Sequence, residues 1–445
     1  MTAPFLDRTS GTSPTSTLAD PDLDPSDGRI IGLACKSCQR PQALGPSFVC
    51  PACFGPLEVV YDYDVIRGQV DRSTIAARPA GIWRYAELLP VSSTPVRGLA
   101  VGSSPLVEAP RLGEAIGIAN LRLKDDTRNP TLSFKDRVVA VAAARAVEFG
   151  FDTLACASTG NLAGATAAAA GALGMRSFVF VPFDLEPAKI DHALAYGATV
   201  VPVRGTYDDI NRLCLEIADE EGWAFVNVNM RPFYSEGSKT LGFEIAEQLG
   251  WRLPDVIVSP IASGSLFTKV ARAFTELVRV GLVEPKEVRF VGGQAAGCAP
   301  VANAFRAGAT EITPVRQPDT IVRSLSIGSP ADGRYALELA RRTSGSVEGV
   351  SDAQTAAAIR QLGALEGMFA ETAGGVTIAA AEQARLAGVI RAGDEVVALI
   401  TGNGVKTPDA RRYGLAAGIE ADPGLARSIA PTYRDFEALK VERGA

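Results

Sequence analysis

The stretch Asn129-Pro130-Thr131-Leu132-Ser133-Phe134-Lys135-Asp136-Arg137 puts a lysine just after a loop, at the mouth of an alanine- and valine-rich helix expected over 138–149. A cation at the positive end of a helix loses charge stabilisation. Burial lowers the pKa of a lysine further. Both effects favour the neutral amine, the form that condenses with an aldehyde. The bland alternative is a solvated lysine at a capped helix start, and Phe134-Lys135-Asp136-Arg137 by itself fits that equally well.

Beyond this stretch, short apolar runs alternate with helical ones. Strands are expected over 153–158, 177–182, 199–203, 224–228, 256–259, 288–291 and 395–400. Helices are expected over 140–149, 162–173, 207–221, 241–249 and 266–280. Such alternation argues for parallel sheets of the α/β class. Strands that are apolar throughout suit sheets covered on both faces.

Three loops follow expected strands and carry small polar residues. Ser158-Thr159-Gly160-Asn161 offers hydroxyls, an amide and backbone N–H groups at a helix start, which suits a carboxylate or phosphate. An ordinary helix cap uses the same residues. The loop from Ser259 to Leu266 has the same character, with Ser263, Gly264, Ser265 and Leu266 at its helix start. Thr401-Gly402-Asn403-Gly404-Val405-Lys406 closes the last strand.

Near the N-terminus, Cys35-Lys36-Ser37-Cys38 and Cys50-Pro51-Ala52-Cys53 form two C-x-x-C pairs joined by a short spacer. Four thiolates in this arrangement are the ligand set of a structural zinc ribbon, with no open position for catalysis. Cys156, Cys214 and Cys298 read as buried free thiols, and His192 as a non-catalytic helical residue.

Taken in order, these segments resemble threonine synthases and other pyridoxal-phosphate enzymes of the tryptophan-synthase-β-like, fold type II group. The lysine segment of those enzymes reads N-P-T-x-S-F-K-D-R. The resemblance runs from about residue 30 onward and is nearest to threonine synthases that carry a zinc ribbon, through Cys53 to Tyr63 and Ile82 to Tyr85. It implies two three-layer αβα domains with largely parallel twisted sheets, a large one from 61–130 and 236–445 and a small one from 131–235. A zinc-ribbon-like unit over 29–60 and a disordered tail over 1–28 precede them.

The resemblance also implies roles. Lys135 holds pyridoxal 5'-phosphate and is the catalytic amine. Asn161 lies by the cofactor's phenolic oxygen, and Ala262, Ser263, Gly264, Ser265 and Leu266 hold its phosphate. Thr401 bonds the pyridine nitrogen. Ser158 and Thr159 take the substrate carboxylate. The segment from Pro232 to Thr240 departs from the related N-P-x-R-x-E-G-Q-K-T, since Tyr234 stands where those enzymes have arginine. Arg231 and Lys124 are the candidate replacements for the substrate phosphate. The segment Glu366 to Gly375 reads as structural or as supporting the residues that touch the ligand. The implied reaction converts O-phospho-L-homoserine and water to L-threonine and phosphate. The alternative is β-replacement or β-elimination on phosphoserine, serine or threonine, which the Tyr234 departure favours.

The chain has 445 residues, 47% hydrophobic and 21% charged, with a formal net charge of −6. An acidic balance argues against general nucleic-acid binding. No apolar run reaches membrane-spanning length, and the first residues lack the pattern of a secretory signal. The expectation is therefore a cytoplasmic enzyme without membrane or nucleic-acid partners. A homodimer is what the resemblance implies.

Overall fold

The computed structural model describes residues 28–443, except 159, 186, 206, 416–421 and 423. The expected N-terminal tail, Gly28 apart, lies outside the described residues, as does Thr159.

Three sheets organise the chain. The first is antiparallel and small: β1 (Ile30–Cys35) lies between β2 (Pro41–Gln42) and β3 (Leu57–Tyr61). Next, β4 (Leu106–Glu108) and β5 (Asn120–Asp125) begin a second sheet. The chain then leaves it and builds a third from β6 (Thr153–Ala157), β7 (Arg176–Pro182), β8 (Thr199–Val203) and β9 (Ala224–Phe225). Their order is β8-β7-β6-β9, all parallel. Finally β10 (Val256–Pro260), β11 (Arg289–Ala295), β12 (Ser346–Val350) and β13 (Glu395–Ile400) return to the second sheet. Its order is β12-β11-β10-β13-β5-β4, parallel except for the β4/β5 edge pair.

The central strands are buried end to end, as β6 and β10 illustrate. Helices on both faces explain why their sequences show no polar alternation. The expected strand over 224–228 is shorter, ending at Phe225. Side-chain amides take over its pairing. Asn227 exchanges hydrogen bonds with the backbone of Ala157, at 3.2 Å in each direction, and Asn229 Oδ1 accepts from Phe225 N at 2.8 Å. The helix expected over 138–149 starts earlier, so Lys135 is its first residue (Lys135–Glu148).

Two buried ionic networks tie the elements together. In one, the Arg137 guanidinium donates to Asp126 at 2.7 and 2.9 Å and to both oxygens of Glu244 at 2.7 Å. Arg137 has no exposed surface. In the other, Lys269 bridges Glu58 of β3 and Glu236 at 2.9 and 2.6 Å, and Lys239 joins Glu236 to Glu276. This second network fastens the cysteine-bearing sheet to the helices Lys239–Gln248 and Ser265–Arg279. Buried charges in such numbers are tolerated because each is paired.

Candidate active site

In open α/β sheets, ligands bind beyond the carboxyl ends of the strands. Here β5, β13 and β10 are neighbours, and with β6 of the other sheet they send their carboxyl-end loops into one cleft. The cleft is lined by Lys135, Ser158, Asn161, Arg231, Tyr234, Ala262, Ser263, Gly264, Ser265, Leu266 and Thr401, with Glu371 across from them. These include every expected cofactor and substrate residue except Thr159 and Lys124.

The local chemistry explains how the lysine loop is held. Asn129-Pro130 begins a turn closed by Leu132 N donating to Asn129 O at 2.8 Å. Leu132 has a φ of 61°, unusual for a residue with a β-carbon. Asp136 turns back to accept from Thr131 N and Oγ1 at 2.7 and 2.6 Å. Burial pushes the Asp136 carboxyl up to about 6, against those two hydrogen bonds. Phe134 N donates to Thr401 O, and Lys406 Nζ donates to the carbonyls of Thr131 and Leu132 at 3.0 and 3.1 Å. The T-G-x-G-x-K loop therefore anchors the lysine loop as well as facing the cleft. Asp136 and Arg137 are committed to structure. Lys135 Nζ donates to the Tyr234 hydroxyl at 2.9 Å, 4.7 Å from the centre of the Phe134 ring.

Around this amine, Asn161 Nδ2 donates to both oxygens of Glu371 at 2.8 and 2.9 Å. Its Oδ1 is buried with no partner among the described residues. Ser158 Oγ accepts from Gly160 N at 3.0 Å and Ala163 N at 2.9 Å, capping the helix Asn161–Leu173 while keeping its own hydrogen to donate. Opposite, the helix Ser265–Arg279 opens after Gly264, whose φ is +93°. Ser265 Oγ is buried and without a partner among the described residues.

Lys124 is a correction. It was expected to face the substrate phosphate, yet it has no exposed surface and donates to Glu244 Oε2 at 2.6 Å, Ser104 O at 2.6 Å and Gln248 Oε1 at 2.9 Å. It serves the Arg137 network. Burial pulls its pKa down even with Glu244 beside it. Glu371 lies in the segment read as structural or supporting, and it supports Asn161 at the cleft wall by accepting both hydrogen bonds from its amide. Asp332 carried no signal in the sequence. It lies in a loop and accepts from Arg231 Nη2 at 2.9 Å.

A family model described as pyridoxal-phosphate dependent enzyme matches residues 98–402. The threonine synthase of Methanosarcina acetivorans is 36% identical over 362 residues, covering 81% of this chain and 88% of that one. That of Methanocaldococcus jannaschii is 33% identical over 378 residues, 84% of this chain and 93% of that one. That of Mycobacterium tuberculosis is 35% identical over 338 residues, 74% and 89%. The chain belongs to the pyridoxal-phosphate-dependent threonine synthases. Among solved structures, the processed threonine deaminase isoform 2 of Solanum lycopersicum superposes with a TM-score of 0.61 at 20% identity, over 91% of this chain and 98% of that one. Maize serine racemase superposes at 0.58 and 19%, over 70% and 91%. These two show the fold, which is that of fold type II enzymes.

The cleft of this threonine synthase fits pyridoxal phosphate. A lysine amine, an orphaned amide oxygen and an orphaned serine hydroxyl at a helix start face one space. The helix start supplies N–H donors and a positive dipole end, which suit a phosphate.

The second cluster is the cysteines. Their four sulfurs all lie within 4.8 Å of one another. Cys35 and Cys53 are 3.4 Å apart, Cys38 and Cys50 3.7 Å, and none is in a disulfide. A tetrahedral zinc with bonds of about 2.3 Å spaces its sulfurs by about 3.8 Å. The N–H groups of Ser37 and Cys38 point at Cys35 Sγ, at 3.3 and 3.5 Å.

Proposed function

We propose that Lys135 is the amine that holds pyridoxal phosphate and moves the protons of the threonine synthase reaction, O-phospho-L-homoserine and water to L-threonine and phosphate. When bound, the cofactor supplies an electron sink that acidifies the carbon–hydrogen bonds beside the substrate amine. The residues divide the rest. Ser158 and the N–H groups of its loop hold the substrate carboxylate. Asn161, fixed by Glu371, lies by the phenolic oxygen, Thr401 by the ring nitrogen, and residues 262–266 hold the cofactor phosphate. Lys135 Nζ takes a proton from Cα, then one from Cβ; after the phosphate has left it returns one at Cγ, water adds its oxygen at Cβ, and a proton goes back to Cα. Tyr234, accepting from Nζ, keeps the amine aimed into the cleft between transfers. Arg231 takes the leaving phosphate.

The observation that carries this reading is the Lys135–Tyr234 hydrogen bond inside a cleft where the loops of four parallel strands meet. A histidine is not needed, because one amine serves each transfer. The reading includes a structural zinc on Cys35, Cys38, Cys50 and Cys53. It also includes a large domain from 61–130 and 236–445, a small one from 131–235, and a cytoplasmic homodimer with no membrane or nucleic-acid partner. No described helix is long and apolar enough to cross a membrane.

The test is release of phosphate and threonine from O-phospho-L-homoserine, with the visible spectrum recorded alongside. Equal amounts of both products are expected. Lys135→Ala is expected to lose the absorbance of covalently held cofactor and all turnover; absorbance that persists would mean another lysine holds it. Turnover of phosphoserine, serine or threonine in place of phosphohomoserine would move the reaction to β-chemistry.

A further inference from the structure

Phe48 of the cysteine-bearing unit lines the active-site cleft, and Lys36 of the same unit reaches a residue behind the cleft wall. Lys36 lies inside the first C-x-x-C pair. Its backbone is fixed there, with N donating to Pro56 O at 2.9 Å, directly before Ser37 and Cys38, whose N–H groups point at Cys35 Sγ. Its amine leaves the sheet, passes 3.8 Å from the centre of the Tyr335 ring and donates to Asp332 Oδ1 at 3.1 Å. The other oxygen of Asp332 accepts from Arg231 Nη2 at 2.9 Å. Asp332 is 6% exposed, and Arg231 lines the cleft. Ser37 Oγ meets the Tyr335 hydroxyl at 3.1 Å, a second tie between the same two segments.

We propose that Lys36 is a positioning residue for the substrate phosphate: by sharing Asp332 with Arg231, it leaves the guanidinium with unspent positive charge and a fixed place at the cleft wall. This rests on the reading of Arg231 as the phosphate cation. The charge count gives the reason. Lys36, Asp332 and Arg231 together carry one net positive charge. Without Lys36, the Arg231–Asp332 pair is neutral, and the buried carboxylate behind the guanidinium cancels the charge that it offers to the cleft. Glu58 lies 3.5 Å from Lys36, but the three carboxylates of its cluster, Glu58, Glu236 and Glu276, are matched by the three cations Lys269, Arg272 and Lys239. The metal-type cluster thus has a task beyond holding its own sheet, since it sets the backbone from which Lys36 reaches.

Asp332 is unsuitable as the tested position, because its N–H also donates to Ser263 O at 2.8 Å in the cofactor-phosphate loop. The experiment uses Lys36→Met, Lys36→Arg, Arg231→Met and the double variant Lys36→Met/Arg231→Met in the cofactor-loaded enzyme. The readouts are KM and kcat for O-phospho-L-homoserine, and the Kd of inorganic phosphate by calorimetry. Lys36→Met is expected to raise KM and the phosphate Kd together by about tenfold, the order for one nearby charge partly screened by solvent, with kcat within about twofold. Lys36→Arg restores both, and Lys36→Met adds nothing in the Arg231→Met background. If Arg231→Met raises KM and Lys36→Met does not, the coupling is wrong and the Arg231 reading stands. If neither changes KM, the Arg231 reading falls and the coupling with it. A fall in kcat or melting temperature without a change in phosphate affinity would make Lys36 merely structural and overturn the proposal.

Discussion

Gly264 shows how much of the site depends on the absence of a side chain. Its φ of +93° suits glycine, and a β-carbon there would lie 2.8 Å from the backbone of Asp332. Gly264→Ala must move either the loop of residues 262–266 or the loop that carries Asp332. Pyridoxal-phosphate affinity is expected to fall by at least about tenfold, since helix-start N–H donors act over short range; titrating the apoenzyme by absorbance checks this, and unchanged affinity would remove the loop from the phosphate site. Residues of this kind were legible where a motif fixed both identity and position. Lys135, Asn161 and Thr401 each stand at the end of an expected strand or the start of an expected helix, and the structure brings them to one cleft. Lys124 and Asp332 were not legible, because a charged letter in a sequence does not name its partner. Lys124 looks like a cation waiting for phosphate until Glu244 is seen 2.6 Å away.

Pairs of elements depend on close contacts that few residues permit. The helix Arg231–Gly237 lies against Lys135–Glu148, and a β-carbon on Gly237 would overlap the carbonyl of Arg137. Gly237→Ala is expected to destabilise the fold by about 1–3 kcal/mol, the cost of overpacking, which denaturant unfolding would measure; a neutral result would show that the two helices can part. The same helices meet the buried carboxylates. Glu244→Gln leaves Arg137 and Lys124 short of a counter-charge, at a cost of about 3–5 kcal/mol. Arg137 and Lys124 draw the Glu244 carboxyl down to about 2, against the burial that pushes it up, from an ordinary 4.5. A carboxyl depressed in the fold stabilises it above its unfolded value and loses that stabilisation as pH falls. Stability is therefore expected to drop between about pH 4.5 and 2, and less steeply in Glu244→Gln. Asp136 acts in the opposite sense. Raised to about 6 from 3.8, its contribution is complete below 3.8 and is lost as pH rises through 6. Thermal melts across both windows separate the two. The long helices near the motifs were legible from their apolar content, although the one expected over 138–149 begins at Lys135. The strand β12 and the helix Thr372–Leu386, rich in alanine and glycine, have no period that reveals them, and packing alone sets their place.

Across the whole molecule, the cysteine sheet is bound by charge as much as by its sulfurs, since Glu58 of β3 lies between Lys269 and Arg272. Removing metal with a strong chelator is expected to release zinc at one per chain and lower the melting temperature without dissolving the two parallel sheets, which circular dichroism and metal analysis would show. Retention of the full melting temperature after metal loss would mean that the ion pairs suffice. The alternation of strands and helices made two parallel sheets legible. Alternation alone does not reveal that the second sheet is interrupted, because strand order depends on contacts between segments distant in sequence; only the family resemblance implied a large domain split between 61–130 and 236–445. That interruption has a consequence for how the chain is made. β5 is complete by Asp125, but its parallel neighbour β13 spans Glu395–Ile400. A ribosome must therefore deliver the whole third sheet, β6 to β9, and most of the rest before β5 finds that partner. The third sheet can close on itself as it emerges, since its strands follow one another without interruption. The second keeps an open hydrogen-bonding edge until nearly the last strand is synthesised, and open edges are where nascent chains stick to one another. The carboxyl-terminal part of this enzyme thus acts as the closing step of its assembly, and ribosomes stalled before residue 395 would hold chains without a finished cleft.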